Sequence, residues 1–226
     1  MRHIQRFQEQ HNLSPVSGII GPITVRKISE VLGITNKAHL AHFLGQVHHE
    51  TGNFNNGREN MNYSVSALLS NFGRHRISEV DARRFGRTSN QPANQQAIAN
   101  ALYGGEWGRR NLGNTQPNDG WLFRGNGSIQ LTGRANHQAF ANAVQDQAIM
   151  TSPDLVTTDY YFESGKFFFD NNRIWRFCNE VNPNSILTVS RAVNIGNPNS
   201  TGIPKGMQDR INQTMGYHRL LENITL

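Results

Sequence analysis

The sequence contains a single cysteine, Cys178. No intrachain disulfide can form, so the fold does not depend on an oxidising compartment. Long apolar runs are also missing. The first ten residues, MRHIQRFQEQ, offer no apolar core of a secretory signal, and no stretch approaches the roughly 20 residues of a membrane-crossing helix. The expectation is a chain made in the cytosol that needs another route if it acts outside. Charged residues make up only 17% of the 226, against 36% hydrophobic, a globular composition rich in Asn and Gln and long enough to bury a substantial core. Strand signals are scarce, and only SIQLT (128–132) invites a short strand. No repeat or low-complexity tract occurs. Acidic residues are outnumbered: the net charge is +6, carried mostly by arginine. Such a surface suits a polyanion, whether nucleic acid, an anionic membrane or an acidic cell-wall polymer, and charge alone does not choose among them.

What is present is helical periodicity. In AHLAHFLGQVHHETG, Leu40, Phe43, Leu44 and Val47 recur at helical spacing, and Thr51-Gly52 supplies a stop. Further helices are predicted over 38–50, 64–72, 77–86, 94–104, 134–145, 159–175 and 185–194. Ser64 is the cap of the second, and GGEWGRRNLGNTQPNDG is read as one long loop. Residues 1–33 look separable from 34–226. Ile4, Phe7 and Leu13 lie at roughly helical spacing, SPVSGIIGPIT makes a Pro/Gly turn, and VRKISEVLG is a short helix ended by Gly33. The architecture expected is mainly α-helical with long loops.

Glu50 continues the apolar face of its helix into the last turn. Desolvation and the negative end of the helix dipole both disfavour an anion there, and a protonated carboxyl is what a general acid requires. The alternative is a Glu paired with a neighbouring histidine, or an ordinary exposed one. Glu59, in GRENMNY, sits on a polar loop where it should stay ionised. Two carboxylates in unlike settings can divide acid and base work. Other patterns lead nowhere. GNGSIQLTG has no preceding strand and no lysine at phosphate-loop spacing, and His42 with HHE lacks the HExxH zinc spacing. Arg74, Arg76, Arg83, Arg84 and Arg87 form a basic run offset by Glu79 and Asp81, either a solvated face or an electrostatic contact with an acidic surface.

The stretch DGWLFRGNGSIQLTGRANH (119–137) resembles the signature of glycoside hydrolase family 19, the chitinase-like enzymes. HETG, ENMNY and VSRAVNIGNPNSTGIPKGMQDR match three more blocks of that family in order, over about residues 38–220. The resemblance implies a lysozyme-like, two-lobed helical fold with a central cleft. It implies Glu50 as general acid, and Glu59 as general base in the manner of phage-type members. Thr132 falls where a hydroxyl holds the attacking water. Thr51, Gln130, Asn136, Asn194 and Arg210 match substrate-contacting or water-positioning residues, with Lys166 a weaker match. No metal or cofactor is implied. Two departures stand out: Asn126 occupies the position of an arginine in the usual GRG turn, and VNIG replaces INGG. Residues 1–33, with their Phe-Gln pair and Gly-x-x-Gly-Pro-x-Thr turn, look like about half of a peptidoglycan-binding module.

Together these readings predict an endolysin that hydrolyses β-1,4 bonds of peptidoglycan with inversion. The alternatives are a chitinase and a non-catalytic wall-binding protein. The partners expected are the wall polysaccharide and the anionic cell envelope, with no nucleic acid. The chain is expected to be a monomer held in the host cytoplasm until a holin opens the membrane.

Overall fold

The structure, a computed structural model, describes residues 2–226. It is mainly helical, as the periodicity predicts, and among the described residues the only β pairing consists of isolated bridges. In chain order the helices are α1 (Arg2–Gln10), α2 (Pro22–Leu32), α3 (Lys37–Glu50), α4 (Val65–Asn71), α5 (Glu79–Phe85), α6 (Gln95–Tyr103) and α7 (Gly105–Leu112). They continue with α8 (Asp119–Leu122), α9 (Arg134–Val144), α10 (Leu155–Thr158), α11 (Tyr161–Asn171), α12 (Pro183–Asn194) and α13 (Met207–Glu222). The chain forms two compact units. One takes the chain up to Gly57 and again from Thr158 to Leu226; the other is Arg58–Thr157.

The first unit is organised around α3. Asn36 caps the helix, its side-chain oxygen accepting from the N–H groups of Ala38 and His39 at 2.8 and 3.1 Å. The predicted face is fully buried, but so is the opposite one: Leu40 through Val47 are buried without a break. Each large apolar side chain so buried contributes roughly 1.5–3 kcal/mol, which outweighs differences in helix propensity along the segment. Each buried polar residue of this helix makes a hydrogen bond, although His42 Nδ1 finds no partner among the described residues. His42 Nε2 bonds the Glu180 carbonyl at 2.8 Å, and Gln46 donates to Ser190 Oγ at 3.1 Å.

Residues 2–33 pack within this unit. Ile4, Phe7, Val25, Ile28 and Leu32 are buried, Phe7 meets the edge of Phe162, and His3 stacks on Tyr161 at 4.2 Å. Of the Phe-Gln pair, Phe7 is core and Gln8 holds the turn. The Gln8 amide donates to Ile19 O at 3.0 Å and Thr24 Oγ1 at 2.9 Å and accepts from Gly18 N at 2.9 Å. In the second unit Met61, Leu68, Ile77, Ala82, Ile98, Ala99 and Leu102 form the core. Ser64, Ser78 and Asn94 cap α4, α5 and α6.

Three local expectations are corrected. The stretch read as one long loop contains α7, supported by Glu106, which pairs with Arg109 at 2.8 Å and Arg110 at 2.5 Å across one turn. SIQLT is not a strand: it lies in a tight turn, with Gln130 in the left-handed region at φ +46° and a single bridge between Asn126 and Leu131. The longest helix, α13, had no signal, because Arg210 and Thr214 occupy its buried face alongside Leu221.

The α3–α13 approach depends on having no side chain at Gly45. A Cβ there would lie 2.1 Å from Thr214 Oγ1 and 2.7 Å from its Cα. Gly45→Ala therefore sets an overpacking cost of about 1–3 kcal/mol against the roughly 1 kcal/mol that alanine gains in a helix. Net destabilisation is expected, read as a lower urea midpoint; an unchanged or raised midpoint would show that α13 can move away freely.

Candidate active site

Glu50 is the last residue of α3, and its side chain is about one quarter exposed. Its partner is neither neighbouring histidine but Arg210, from the first turn of α13, whose Nη2 donates to Glu50 Oε1 at 2.5 Å. A buried guanidinium is costly unless each of its nitrogens finds an acceptor. Arg210, 1% exposed, uses Nη1 on Gln46 Oε1 at 2.5 Å and Nε on the Lys205 carbonyl at 2.9 Å. Asn194 secures that carbonyl's residue by accepting from Lys205 N at 3.0 Å. Among the described residues Glu50 Oε2 has no hydrogen-bond partner. Beside this pair, His49 Nδ1 lies 2.6 Å from Asp209 Oδ2, and hydrogen bonds from Gln213 and then His49 hold the Asp209 carboxyl below its ordinary range.

Two residues matched to substrate-contacting or water-positioning positions, Thr51 and Arg210, lie behind the surface. Arg210 is fully engaged, and Thr51 is buried, donating to Val47 O at 2.6 Å and accepting from Phe54 N at 3.0 Å. Both hold the end of α3 and neither has a free polar atom for a ligand. Lys166 is paired with Asp170 at 2.7 Å on α11.

Glu59 belongs to the second unit and sits in an unlike setting. Tyr103 OH donates to its Oε1 at 2.7 Å and Gly125 N to its Oε2 at 3.0 Å, while Glu59 N donates back to Gly125 O at 2.9 Å. Each oxygen receives a donor, which is the arrangement of a carboxylate, and lone pairs remain to accept from water. Burial, then the nearby Glu59 charge, raises the Tyr103 pKa far above its ordinary value, so this hydroxyl stays a donor. Gly125 is required by close approach: a Cβ would lie 2.2 Å from Gln130 Oε1 and 3.2 Å from Glu59 Cβ. The turn thus brings Gln130 against the residue that bonds Glu59. Thr132 donates to Gln130 O at 2.9 Å, and Asn136 donates to Thr132 O at 2.8 Å. Gln130 and Asn136 are exposed and Thr132 half-buried.

Residues missed in the sequence hold this turn from beneath. Asn126, at the arginine position of the family motif, is buried; it donates to Pro153 O at 2.7 Å and accepts from Thr157 Oγ1 at 2.6 Å. Asp119, fully buried, takes two bonds from Arg134 at 2.6 and 2.7 Å and two backbone N–H groups at 2.9 Å. Arg58 donates from Nη2 to Leu122 O at 3.1 Å. Its Nε lies 3.1 Å from Asp154 Oδ1, an ion pair in distance without the angle of a hydrogen bond. The carboxylates, the Gln130–Asn136 stretch, Thr51, Asn194 and Arg210 were named from the sequence beforehand. Tyr103, Asp119 and Arg58 come from separate stretches that folding alone brings together.

Comparison with known proteins assigns the class. Over 172 residues the chain is 30% identical to a glycosyl hydrolase family 19 domain-containing protein of Haemophilus influenzae, covering 74% of this chain and 76% of the relative. The chain belongs to glycoside hydrolase family 19. It is accordingly a glycoside hydrolase of the chitinase and lysozyme kind, acting on a polysaccharide. No family model matches the chain. Among solved structures it aligns with chitinase C from Streptomyces griseus at 16% identity, over 99% of this chain and 70% of that one. The TM-score is 0.41, too low to carry any inference.

The buried His137 makes this site sensitive to acid. It bonds Gly133 O through Nδ1 at 2.9 Å and lies 3.5 Å from the Asn126 amide through Nε2, and burial lowers its pKa from 6.5 to about 4. A histidine neutral in the fold takes up its proton in the unfolded chain first, so stability is complete above pH 6.5 and falls as pH drops toward 4. The loss should reach on the order of 3 kcal/mol. Urea midpoints between pH 7 and 4 check this, with His137→Asn expected to flatten the slope.

Proposed function

We propose that this enzyme is a cell-wall hydrolase of the endolysin type, cutting β-1,4 bonds of bacterial peptidoglycan with inversion at the anomeric carbon. The observation that supports this best is the contrast between the two carboxylates. Glu50 has one oxygen held by a buried cation and the other open among the described residues, so Oε2 is the oxygen from which a proton would pass to the leaving glycosidic oxygen. Once that proton has gone, Arg210 stabilises the carboxylate left behind. Glu59, with a donor on each oxygen, accepts a proton from water attacking the opposite side of the sugar, which is how an inverting enzyme uses its second acid. Thr132 and Gln130, on the turn that contacts Glu59, are suited to hold that water. Asn136 and Asn194 are the exposed amides suited to sugar hydroxyls. No metal or cofactor enters this reading.

The excess positive charge suits the anionic wall. The protein would wait in the host cytoplasm, as a monomer, until a holin-type partner opens the membrane. In residues 2–33, the exposed Ile19 and Ile23, 63% and 52% accessible, flank a shallow pocket of about 230 Å³ lined also by Leu13 and Pro15. This surface is proposed to contact the wall. Ile19→Ser with Ile23→Ser should weaken co-sedimentation with sacculi while leaving hydrolysis of a soluble glycan unchanged; equal binding would remove the anchoring role.

Purified sacculi and colloidal chitin decide the substrate. Loss of sacculus turbidity without release of sugar from chitin is expected, and the reverse pattern would make the enzyme a chitinase. Glu50→Gln and Glu59→Gln should each lower the rate by roughly 10²–10⁴-fold with unchanged circular dichroism. A folded variant of either kind working at the wild-type rate would remove that residue from the mechanism. Proton NMR of the first product should show the α-anomer.

A further inference from the structure

The last turn of α3 is tied to α13 at three consecutive residues. His48 Nδ1 lies 2.9 Å from Tyr217 OH, His49 Nδ1 lies 2.6 Å from Asp209 Oδ2, and Glu50 Oε1 accepts from Arg210 Nη2. The second link takes no part in the proposed proton transfers. It joins the residue before Glu50 to the residue before Arg210. Asp209 is held as an anion by Gln213, whose Nε2 donates to its Oδ1 at 2.9 Å, and then by His49. A carboxylate only accepts, so Nδ1 of His49 carries the proton of the pair. The ring is also seated. Gly206, the N-cap of α13, has φ +68°, and a Cβ there would lie 2.0 Å from His49 Cε1 and 2.4 Å from its Nε2. The imidazole takes the place that a side chain at 206 would fill.

Both grips bear on Arg210. The carbonyl that accepts from Arg210 Nε belongs to Lys205, directly before Gly206, and Asp209 directly precedes Arg210. Successive residues of a helix point about 100° apart, so a single link would leave the first turn of α13 free to swivel about it. Links from two successive residues of α3 to two successive residues of α13 fix that rotation. The demand is local, because Glu50 makes one side-chain hydrogen bond among the described residues, and its carboxyl is set by where Arg210 Nη2 stands. The exposure of the pair fits this role. The side chains of His49 and Asp209 are 22% and 47% accessible, and pairs that wet add little stability. What the bond supplies is direction.

We propose that His49 and Asp209 are positioning residues: their bond, with the ring seated on Gly206, sets Arg210 so that it holds one oxygen of Glu50 and leaves the other open. The proposal rests on Glu50 as the acid and deepens that reading. His49 acts through Arg210 and transfers no proton itself.

The test uses the full chain and soluble tetrasaccharides from peptide-free wall glycan, with chitotetraose in their place if the wild type cuts only chitin. His49→Ala should lower kcat by about tenfold to a hundredfold, the scale of loss that a misplacement of about 1 Å produces. KM should change within about twofold. Asp209→Ala should do the same, and the double variant should be no slower than the slower single one, since both remove one bond. His49→Asn keeps an N–H donor near the place of Nδ1 and should recover most of the loss. Urea midpoints should stay near that of the wild type. Wild-type kcat in a folded His49→Ala or Asp209→Ala would overturn the proposal, as would losses that multiply in the double variant or an asparagine that rescues nothing. Asp209 is half-exposed, so its variant carries the test even if His49→Ala fails to fold. Glu50→Gln separates the two readings. If it keeps the wild-type rate, the acid assignment fails; if it loses activity while the His49 and Asp209 variants do not, only the positioning role fails.

Discussion

The first unit depends on one buried cation. Arg210 carries its charge into an interior with almost no solvent contact, and the chain must answer it with three acceptors: Glu50, Gln46 and the Lys205 carbonyl. Removing any one would leave a buried donor unmet, and losing the carboxylate would leave a buried charge unpaired, a change that typically costs 3–5 kcal/mol. The same demand explains other features. Gln46 is kept on a helix otherwise packed with apolar groups, Ser190 completes Gln46, and Asn194 steadies the residue whose carbonyl Arg210 needs. Gly45 allows α13 to come close enough for the guanidinium to reach α3. Glu50, the proposed acid, is therefore held by the same side chain that ties α13 to α3.

The second unit solves a different problem. Glu59 lies outside any helix, and a loop carboxylate would ordinarily sample many rotamers. Here the reciprocal bonds with Gly125 join backbone and side chain to one neighbouring residue, and Tyr103 fixes the remaining oxygen. The turn that supplies Gly125 rests on buried polar groups, Asn126, Asp119 and His137, each with its partners. Fully partnered buried polar groups rigidify a segment that apolar packing would leave free to slide. Asn126 shows how a departure from a family motif can be absorbed. The side chain at that position serves the underside of the turn, and nothing in its contacts bears on the carboxylates.

The arginines also divide in a way that net charge conceals. Of the five in the basic run, Arg74 caps the carboxyl end of α4 through the Leu68, Leu69 and Phe72 carbonyls, and Arg76 lies on Trp107. Arg83 is paired with Glu79 across one turn of α5. Arg84 and Arg87 remain as exposed charges. A run that reads as a continuous adhesive face is in fact a helix cap, a guanidinium laid on an indole, one surface pair and two exposed charges.

The sequence by itself determined the helical class, the position of α3 with its terminal carboxylate, the cap at Ser64, and the family to which the motifs belong. These follow from local rules: hydrophobic spacing sets which face is buried, and a side-chain oxygen at a helix start meets donors three residues away. Tertiary structure alone decided the rest. Nothing near Arg210 in the chain reveals that it lies against a residue 160 positions earlier, and α13 stayed hidden because polar and small residues pack on its partner. SIQLT looked like a strand because its composition is that of one, yet reciprocal backbone bonds between Asn126 and Leu131, with Gly133 N on Phe123 O, close the stretch into a turn. Periodicity reports what faces water. It carries no information about which buried polar groups will find one another, since that depends on how separate segments meet in space.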